Sequence, residues 1–459
     1  MPVELKRELG LFTCIMLVVG NIIGVGIFLT PGGIAAQLPS AAWVLVAWAI
    51  GGFLATAGAL TYGELGAAYP YAGGNYVFLR VAYGPLVAFL FGWAFVLVTS
   101  TGTVALLAIG FAEQLGFPKD SRWIEIFALA SVIVLSYLNY IGVKFGAGVT
   151  NAITLAKIVA MAALIGLGAS IGSGHPEHFA GGLTAPTADV WTGIGAALVP
   201  MAFAYSGWNA TVFVSEEVRN PSRNIPMSLL IGTVLTSVIY VAMNFIYLYA
   251  IPLLDMPALS SVAATTAEVL LGPTAGRLIA LLVAFSALGC LSASILTNPR
   301  TLFAMSRDHL FFDFGVKVHE RYQTPSGAIV FSGIWSCGLI LFFGANFDDI
   351  LTFLSVPLVI FLCLTVASIF VLRAKYPDLP RPYRCWGYPW IPALYVLISI
   401  WMLVSRIRTR WGEKVAIDVF GLDLETNKVV VGLLVCLLGI PVYYLWQKYH
   451  PREPAAHAK

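Results

Sequence analysis

Long apolar runs, separated by short polar connections, dominate the pattern of this chain. They cover 9–36, 39–68, 82–113, 121–141, 149–172, 190–217, 226–251, 272–298, 326–345, 349–373, 388–406 and 428–447. A membrane-crossing helix needs about 20 predominantly apolar residues. In lipid, only helices and closed barrels satisfy every backbone N–H and C=O. These runs are too long and too continuous for barrel strands, which alternate in shorter segments. The pattern therefore predicts an all-α polytopic membrane protein with about 12 transmembrane helices.

Composition agrees and narrows the classes. Of 459 residues, 59% are hydrophobic and only 11% charged, against roughly 25% charged in soluble domains. That supply cannot cover a water-facing surface, so a soluble enzyme is excluded. A formal net charge of +3 is too small and too dispersed for nucleic-acid binding. Of the cysteines, Cys14, Cys290, Cys337, Cys363 and Cys436 lie in apolar runs, and Cys385 lies in a connection. That is neither a disulfide framework nor a metal-binding spacing, and no metal or cofactor is expected. Lys6 and Arg7 precede the first apolar run as in a signal peptide, but the run is too long and many more spans come after it. It reads as the first helix of the mature protein.

Charge placement predicts orientation. Most of the 26 Lys and Arg residues fall in the connections on one side, from Lys6 and Arg7 through Lys144 and Arg321 to Arg452 and Lys459. The opposite connections, around 30–38, 173–189, 252–271 and 345–349, hold none. By the positive-inside tendency, both termini are expected in the cytoplasm and the chain in the plasma (inner) membrane. One outer connection conflicts, with Arg406, Arg408, Arg410, Lys414 and Lys428.

Two spans carry helix breaks. Gly20–Gly26 interrupts the first, and Ser206–Gly207 interrupts the sixth. Pro39 and Pro226 are expected to open the next span in each case. Both offsets fit a repeat of about 185 residues holding five spans, and an odd span count inverts the second unit in the membrane. The single transport domain, 1–459, would then comprise repeats 9–172 and 190–373 plus two extra helices over 388–447. Broken helices in inverted repeats mark the substrate sites of many secondary transporters.

The first break reads Gly20-Asn21-Ile22-Ile23-Gly24-Val25-Gly26-Ile27-Phe28. Its freed N–H groups, at the positive end of a half-helix, suit a carboxylate. Glycines that let helices pack closely are the alternative. The second break, Phe203-Ala204-Tyr205-Ser206-Gly207-Trp208-Asn209, sits too deep for an interfacial aromatic belt, and Asn209 needs a partner there.

Lys157 lies about eight residues into its span, roughly 12 Å deep at 1.5 Å per residue. An intramembrane charge points to function by default, although a lysine near a helix end can snorkel. A fixed cation there could hold helix breaks through their carbonyl ends, as sodium would. A desolvated amine could instead couple to protons. Glu64, Glu216, Glu217, Arg219, Arg300 and Arg307 lie at inner helix ends and are expected to form ion pairs. No histidine falls within a span, and no catalytic cluster is visible, so no enzyme activity is expected.

These motifs resemble the amino acid–polyamine–organocation superfamily, closest to its L-amino-acid transporter branch. Glu64 with Tyr69–Tyr76, Glu216–Pro226 and Arg300–Asp308 are similar to its signatures, and the resemblance covers nearly the whole chain. It implies a LeuT-like fold of five plus five inverted helices and two more. It further implies that the substrate carboxylate meets the N–H groups of Val25, Gly26 and Ile27. The amino group would meet carbonyls near Ile22, Phe203 and Ser206. Phe203 would gate the site with Tyr205 and Trp208, Asn209 would lie close by, and Lys157 beside Ser286 would stand in for sodium. Val25 departs from the usual Ser or Thr, and Ser206 from a common Gly. Pro357-Leu358 stands where some relatives carry a polar pocket residue.

The expected function is sodium-independent transport of neutral L-amino acids by alternating access, as an exchanger. A proton-coupled amino acid or amine symporter is the alternative. A channel is disfavoured, because no filter-like motif or ring of charges is visible. The expected partners are the amino acid and the lipid bilayer. Segment 114–122 has no cysteine, so no disulfide-linked glycoprotein subunit is expected.

Overall fold

The computed structural model describes residues 7, 9–71, 73–118, 121–141, 147–183, 185–259, 261–319, 324–410, 414–419 and 422–449. Lys6, Ala72, Lys144, Arg321, Arg452 and Lys459 lie outside the described residues, as do both chain ends.

The first part of the chain forms α1 (Leu11–Ile22), α2 (Gly26–Ala35), α3 (Ala41–Ala68), α4 (Asn75–Tyr83), α5 (Pro85–Ala94), α6 (Ser100–Glu113), α7 (Arg122–Tyr140) and α8 (Ala147–Ile171). A π turn over Phe95–Thr99 joins α5 to α6 as one rod. The second part forms α9 (Ala188–Ala204), α10 (Ala210–Phe213), α11 (Pro221–Ala250), α12 (Val262–Leu271), α13 (Pro273–Thr297), α14 (Pro299–Arg307), α15 (Ser326–Phe342) and α16 (Phe347–Lys375). Then come α17 (Trp390–Arg410), strands β1 (Lys414–Val419) and β2 (Leu422–Asn427), and α18 (Lys428–Tyr449).

The protein is thus an all-α polytopic bundle. Among the described residues, eight helices are long and apolar enough to cross a membrane, or nine with the bent pair α1–α2 taken as one span. The shorter α9 and α15, and the 22-residue α18, fall at three further predicted positions. Proline occupies the first turn of α5, α11, α13 and α14, where its missing N–H costs no hydrogen bond.

Several boundaries differ from expectation. The first break narrows to Ile23–Val25, and Gly20 stays helical. A Cβ on Gly20 would stand 2.4 Å from Thr154 Oγ1, so this glycine serves close helix packing. Pro226 lies inside α11 rather than opening it, because Asn220 and Pro221 already start the helix. The last connection is shorter than its charges suggested. Arg406 belongs to α17, is buried, and donates to Thr352 Oγ1 of α16 at 3.2 Å. A small antiparallel hairpin, β1 paired with β2 from Lys414↔Asn427 to Val419↔Leu422, lies between α17 and α18.

Two buried clusters make up the core. One holds Ile22, Ile23, Trp48, Tyr62, Tyr205, Trp208 and Tyr240. The other holds Val25, Phe91, Phe203, Leu354 and Phe361. The first break contributes Ile23 to one cluster and Val25 to the other, and at the second break Tyr205 falls in one and the adjoining Phe203 of α9 in the other, so both breaks lie along the seam.

Candidate functional site

The α1–α2 pair bends by 41° at Ile23–Val25. Within α2, the N–H groups of Phe28 and Leu29 reach the Val25 carbonyl at 3.0 Å. The N–H groups of Val25, Gly26 and Ile27 come before them, where a helix offers no intrahelical acceptor. The partial positive charge of the α2 dipole gathers at the same place. Gly26 allows this half-helix to press on the second break, since a Cβ there would meet Ala204 Cα at 2.5 Å.

The second break runs over 205–209, longer than the two residues expected. Gly207 turns it with φ +96°, and its missing Cβ would stand 2.8 Å from the Asn21 carbonyl carbon. Only glycine adopts that conformation without strain. The two breaks therefore touch twice, Gly26 against Ala204 and Gly207 against Asn21. Asn209 finds its partner in Asn75, with Nδ2 donating to Oδ1 at 3.3 Å.

Lys157 is 3% exposed. Its ammonium donates to the Ile23 carbonyl at 3.1 Å and lies 3.5 Å from Cys290 Sγ. Ser286 donates to the same carbonyl at 3.2 Å. A buried charge is costly without polar partners, and this one spends its contacts on a broken helix end. No snorkelling is involved. Lys157 and Ser286 stand behind the first break rather than on the cavity wall.

Sequence reasoning missed Tyr240. Its hydroxyl donates to the Ile22 carbonyl at 2.7 Å and to the Ala204 carbonyl at 3.2 Å. These carbonyls end α1 and α9, so one side chain of α11 ties both breaks together. Its ring packs against Trp48 at 5.8 Å and Tyr205 at 5.0 Å. A tyrosine within an apolar run looks like ordinary core, which is why its spacing gave no signal. Tyr247 adds a bond to the Ile27 carbonyl at 3.3 Å.

A cavity of about 140 Å³ opens where the breaks meet. Of the expected site residues, Ile22, Val25, Gly26, Phe203, Ser206, Trp208 and Asn209 line it, together with Pro357 and Leu358. Ile27 and Tyr205 do not. Tyr205 turns away from the cavity, donating to the Trp48 carbonyl at 3.1 Å. Trp208 packs edge-on against Tyr62 at 4.6 Å. Phe203 meets Phe347 edge-on at 6.3 Å. Among the described residues, the lining carries many amides and hydroxyls and no charged side chain.

The cavity runs from the breaks toward one end of the bundle, past Asn21 of α1, Phe213 of α10, and Thr297 and Asn298 at the close of α13. At that end Arg300 pairs with Glu217 at 3.3 Å. Leu9 exchanges backbone bonds with Glu217 and Arg219 at 2.9 Å. Arg80 pairs with Asp308, which also accepts from Tyr76 at 2.7 Å. Glu64 is 2% exposed. It takes two bonds from Arg373 at 2.9 and 2.6 Å, a contact from Arg381 at 3.4 Å and the Cys385 N–H at 2.6 Å.

A family model described as amino acid permease matches residues 9–411. The serine/threonine exchanger SteT of Bacillus subtilis is 30% identical over 449 residues, covering 97% of this chain and 98% of that protein. The b(0,+)-type amino acid transporter 1 of Mus musculus is 30% identical over 411 residues, covering 88% and 83%. The human large neutral amino acids transporter small subunit 2 is 30% identical over 461 residues, covering 97% and 82%.

Proposed function

The chain belongs to the amino acid permease family, and from that premise we propose that it exchanges neutral L-amino acids across the plasma membrane without sodium. Transport of amino acids, rather than catalysis, is the activity of this family. The observation that carries the finer reading is Lys157 on the Ile23 carbonyl. An ammonium on this broken helix end would supply there the positive charge that a bound sodium ion would bring. No sodium then has to enter and leave with each cycle.

The substrate's carboxylate would lie on the N–H groups of Val25, Gly26 and Ile27, at the positive end of α2. Its ammonium would face carbonyls at the ends of α1 and α9. The uncharged lining favours a neutral side chain, because a charged one would be desolvated without a partner. Residues 9–172 and 190–373 would act as two inverted halves rocking about this point. With the Lys- and Arg-rich connections and both termini in the cytoplasm, the cavity faces inward. The ion pairs at that end would then form and break during the cycle. Segment 114–122 offers no cysteine, so the chain would work without a disulfide-linked subunit.

Proteoliposomes holding the pure protein test this reading. Uptake of labelled neutral amino acids should be the same in sodium and in choline media. An absolute need for sodium would overturn it. Proton-coupled symport, the alternative that a buried amine allows, would instead show uptake into empty vesicles driven by an imposed pH gradient.

A further inference from the structure

Gly58, Tyr62 and Gly66 lie four residues apart on α3, so they share one helix face. That face is turned to the second break. A Cβ on Gly58 would meet the Trp208 ring at 2.7 Å, and one on Gly66 would meet Val212 Cγ1 at 2.9 Å. The two glycines let α3 press on the break and on the short α10 that follows it, as small residues do between membrane helices. Tyr62 stands between them. Its ring packs edge-on against Trp208 at 4.6 Å and against Phe78 at 5.9 Å.

Tyr62 is fully buried, yet among the described residues its hydroxyl has no hydrogen-bond partner. Three polar side chains stand around it without completing a bond, those of Thr365, Asn209 and Asn75. Each is engaged elsewhere. Thr365 Oγ1 donates to the Phe361 carbonyl at 2.7 Å, and Asn209 Nδ2 donates to Asn75 Oδ1 at 3.3 Å. The Asn209 oxygen takes no part in that bond. A buried hydroxyl left unpaired is costly. In a protein with several arrangements, a cost confined to one of them biases the population toward the others.

We propose that Tyr62 is a catch for Asn209 in the other half of the transport cycle. Asn75 holds Asn209 in this structure, and Asn209 passes to the Tyr62 hydroxyl when α10 shifts to close the cavity. The inference rests on the alternating-access reading above. Tyr62 is then a positioning residue, acting through Asn209. Asn209 and Asn75 line the cavity, whereas Tyr62 lies behind Trp208, off its wall. α3 is a firm base for such a catch, because Glu64, two residues on, fastens it to Arg373 and Arg381.

The test is Tyr62→Phe, which keeps the ring against Trp208 and Phe78 and removes only the hydroxyl. No bond is lost in the open arrangement, so the melting temperature in detergent should not fall. Affinity for a neutral amino acid, read from its thermal shift, should stay within about twofold. Exchange in proteoliposomes should slow at least about fivefold, because the closed arrangement loses a buried bond. The open arrangement should also gain population. Cys290, which lines the cavity, should then react with a maleimide faster than in the wild type, as read by peptide mass spectrometry.

Wild-type exchange in the variant would overturn the inference; a hydroxyl satisfied by a fixed buried water would give that result. Affinity and exchange falling together would mark Tyr62 as merely structural and overturn it as well. So would Cys290 labelling that is equal or slower. Any of these leaves the transport reading standing. A wild type that carries no amino acid overturns that reading and this inference with it.

Discussion

The Lys157 ammonium stands 3.1 Å from the Ile23 carbonyl, at the bend where the first span breaks. Replacing Lys157 with Met removes that charge while keeping an unbranched side chain of similar length. Ser286 still donates to the Ile23 carbonyl, so that acceptor keeps a partner and the melting temperature should change little. Uptake should nonetheless fall by more than about 90%, since a tenfold loss needs only about 1.4 kcal/mol. Measuring both on one preparation separates function from folding. Wild-type uptake in Lys157→Met would remove the residue from the mechanism.

Tyr240 joins the ends of α1 and α9 through one hydroxyl. Tyr240→Phe keeps the ring against Trp48 and Tyr205 and deletes only the bonds to Ile22 and Ala204. Losing such buried bonds costs about 1–2 kcal/mol, a factor of roughly 5–30. The melting temperature should therefore fall slightly, and uptake at low substrate concentration should fall at least several-fold, because the two breaks lose the tie that sets their relative position. Unchanged uptake would mean that the two breaks hold their relative position without this tie.

Gly26 sets how closely α2 approaches α9. The Gly26→Ala methyl would meet Ala204 Cα at 2.5 Å, whereas at Gly33, in the same helix, nothing lies within 4 Å. Transport should be lost in Gly26→Ala and kept in Gly33→Ala. Equal uptake by the two variants would count against a close contact between the breaks.

Much of this arrangement was legible in the chain. Lys157 stood out because charge is so scarce in the apolar runs, and the glycines near 24–26 and 207 marked both breaks. The features that escaped depend on distant partners. Phe95–Thr99 reads as ordinary apolar helix, and its wide turn is met by Trp335, on another helix, which donates to the Leu97 carbonyl. Tyr240 looks like core until two carbonyls arrive at its hydroxyl. Arg406 looked like a loop residue because it comes at the end of an apolar run, but Thr352 gives it a buried partner. The β1–β2 hairpin was readable and overlooked. Val415, Ile417 and Val419 alternate with polar or small residues, a strand signal.

Glu64 gathers α3, α16 and the connection after α16. Its carboxylate is almost fully buried and holds Arg373, Arg381 and the Cys385 N–H. Removing one partner of a buried ion pair leaves the other uncompensated and costs about 3–5 kcal/mol. Glu64→Ala should therefore melt several degrees lower in detergent than the wild type, and Glu64→Asp should fall between them. A melting curve for Glu64→Ala that overlays the wild type would show the cluster to be dispensable for stability.

Counterflow tests the central claim most directly. Vesicles containing the purified protein are loaded with an unlabelled neutral amino acid or left empty, and labelled amino acid is added outside in sodium-free buffer. An exchanger with Lys157 in place of sodium should accumulate label transiently in the loaded vesicles and barely at all in the empty ones. Label entering both alike, or entering only when sodium is added, would contradict the account.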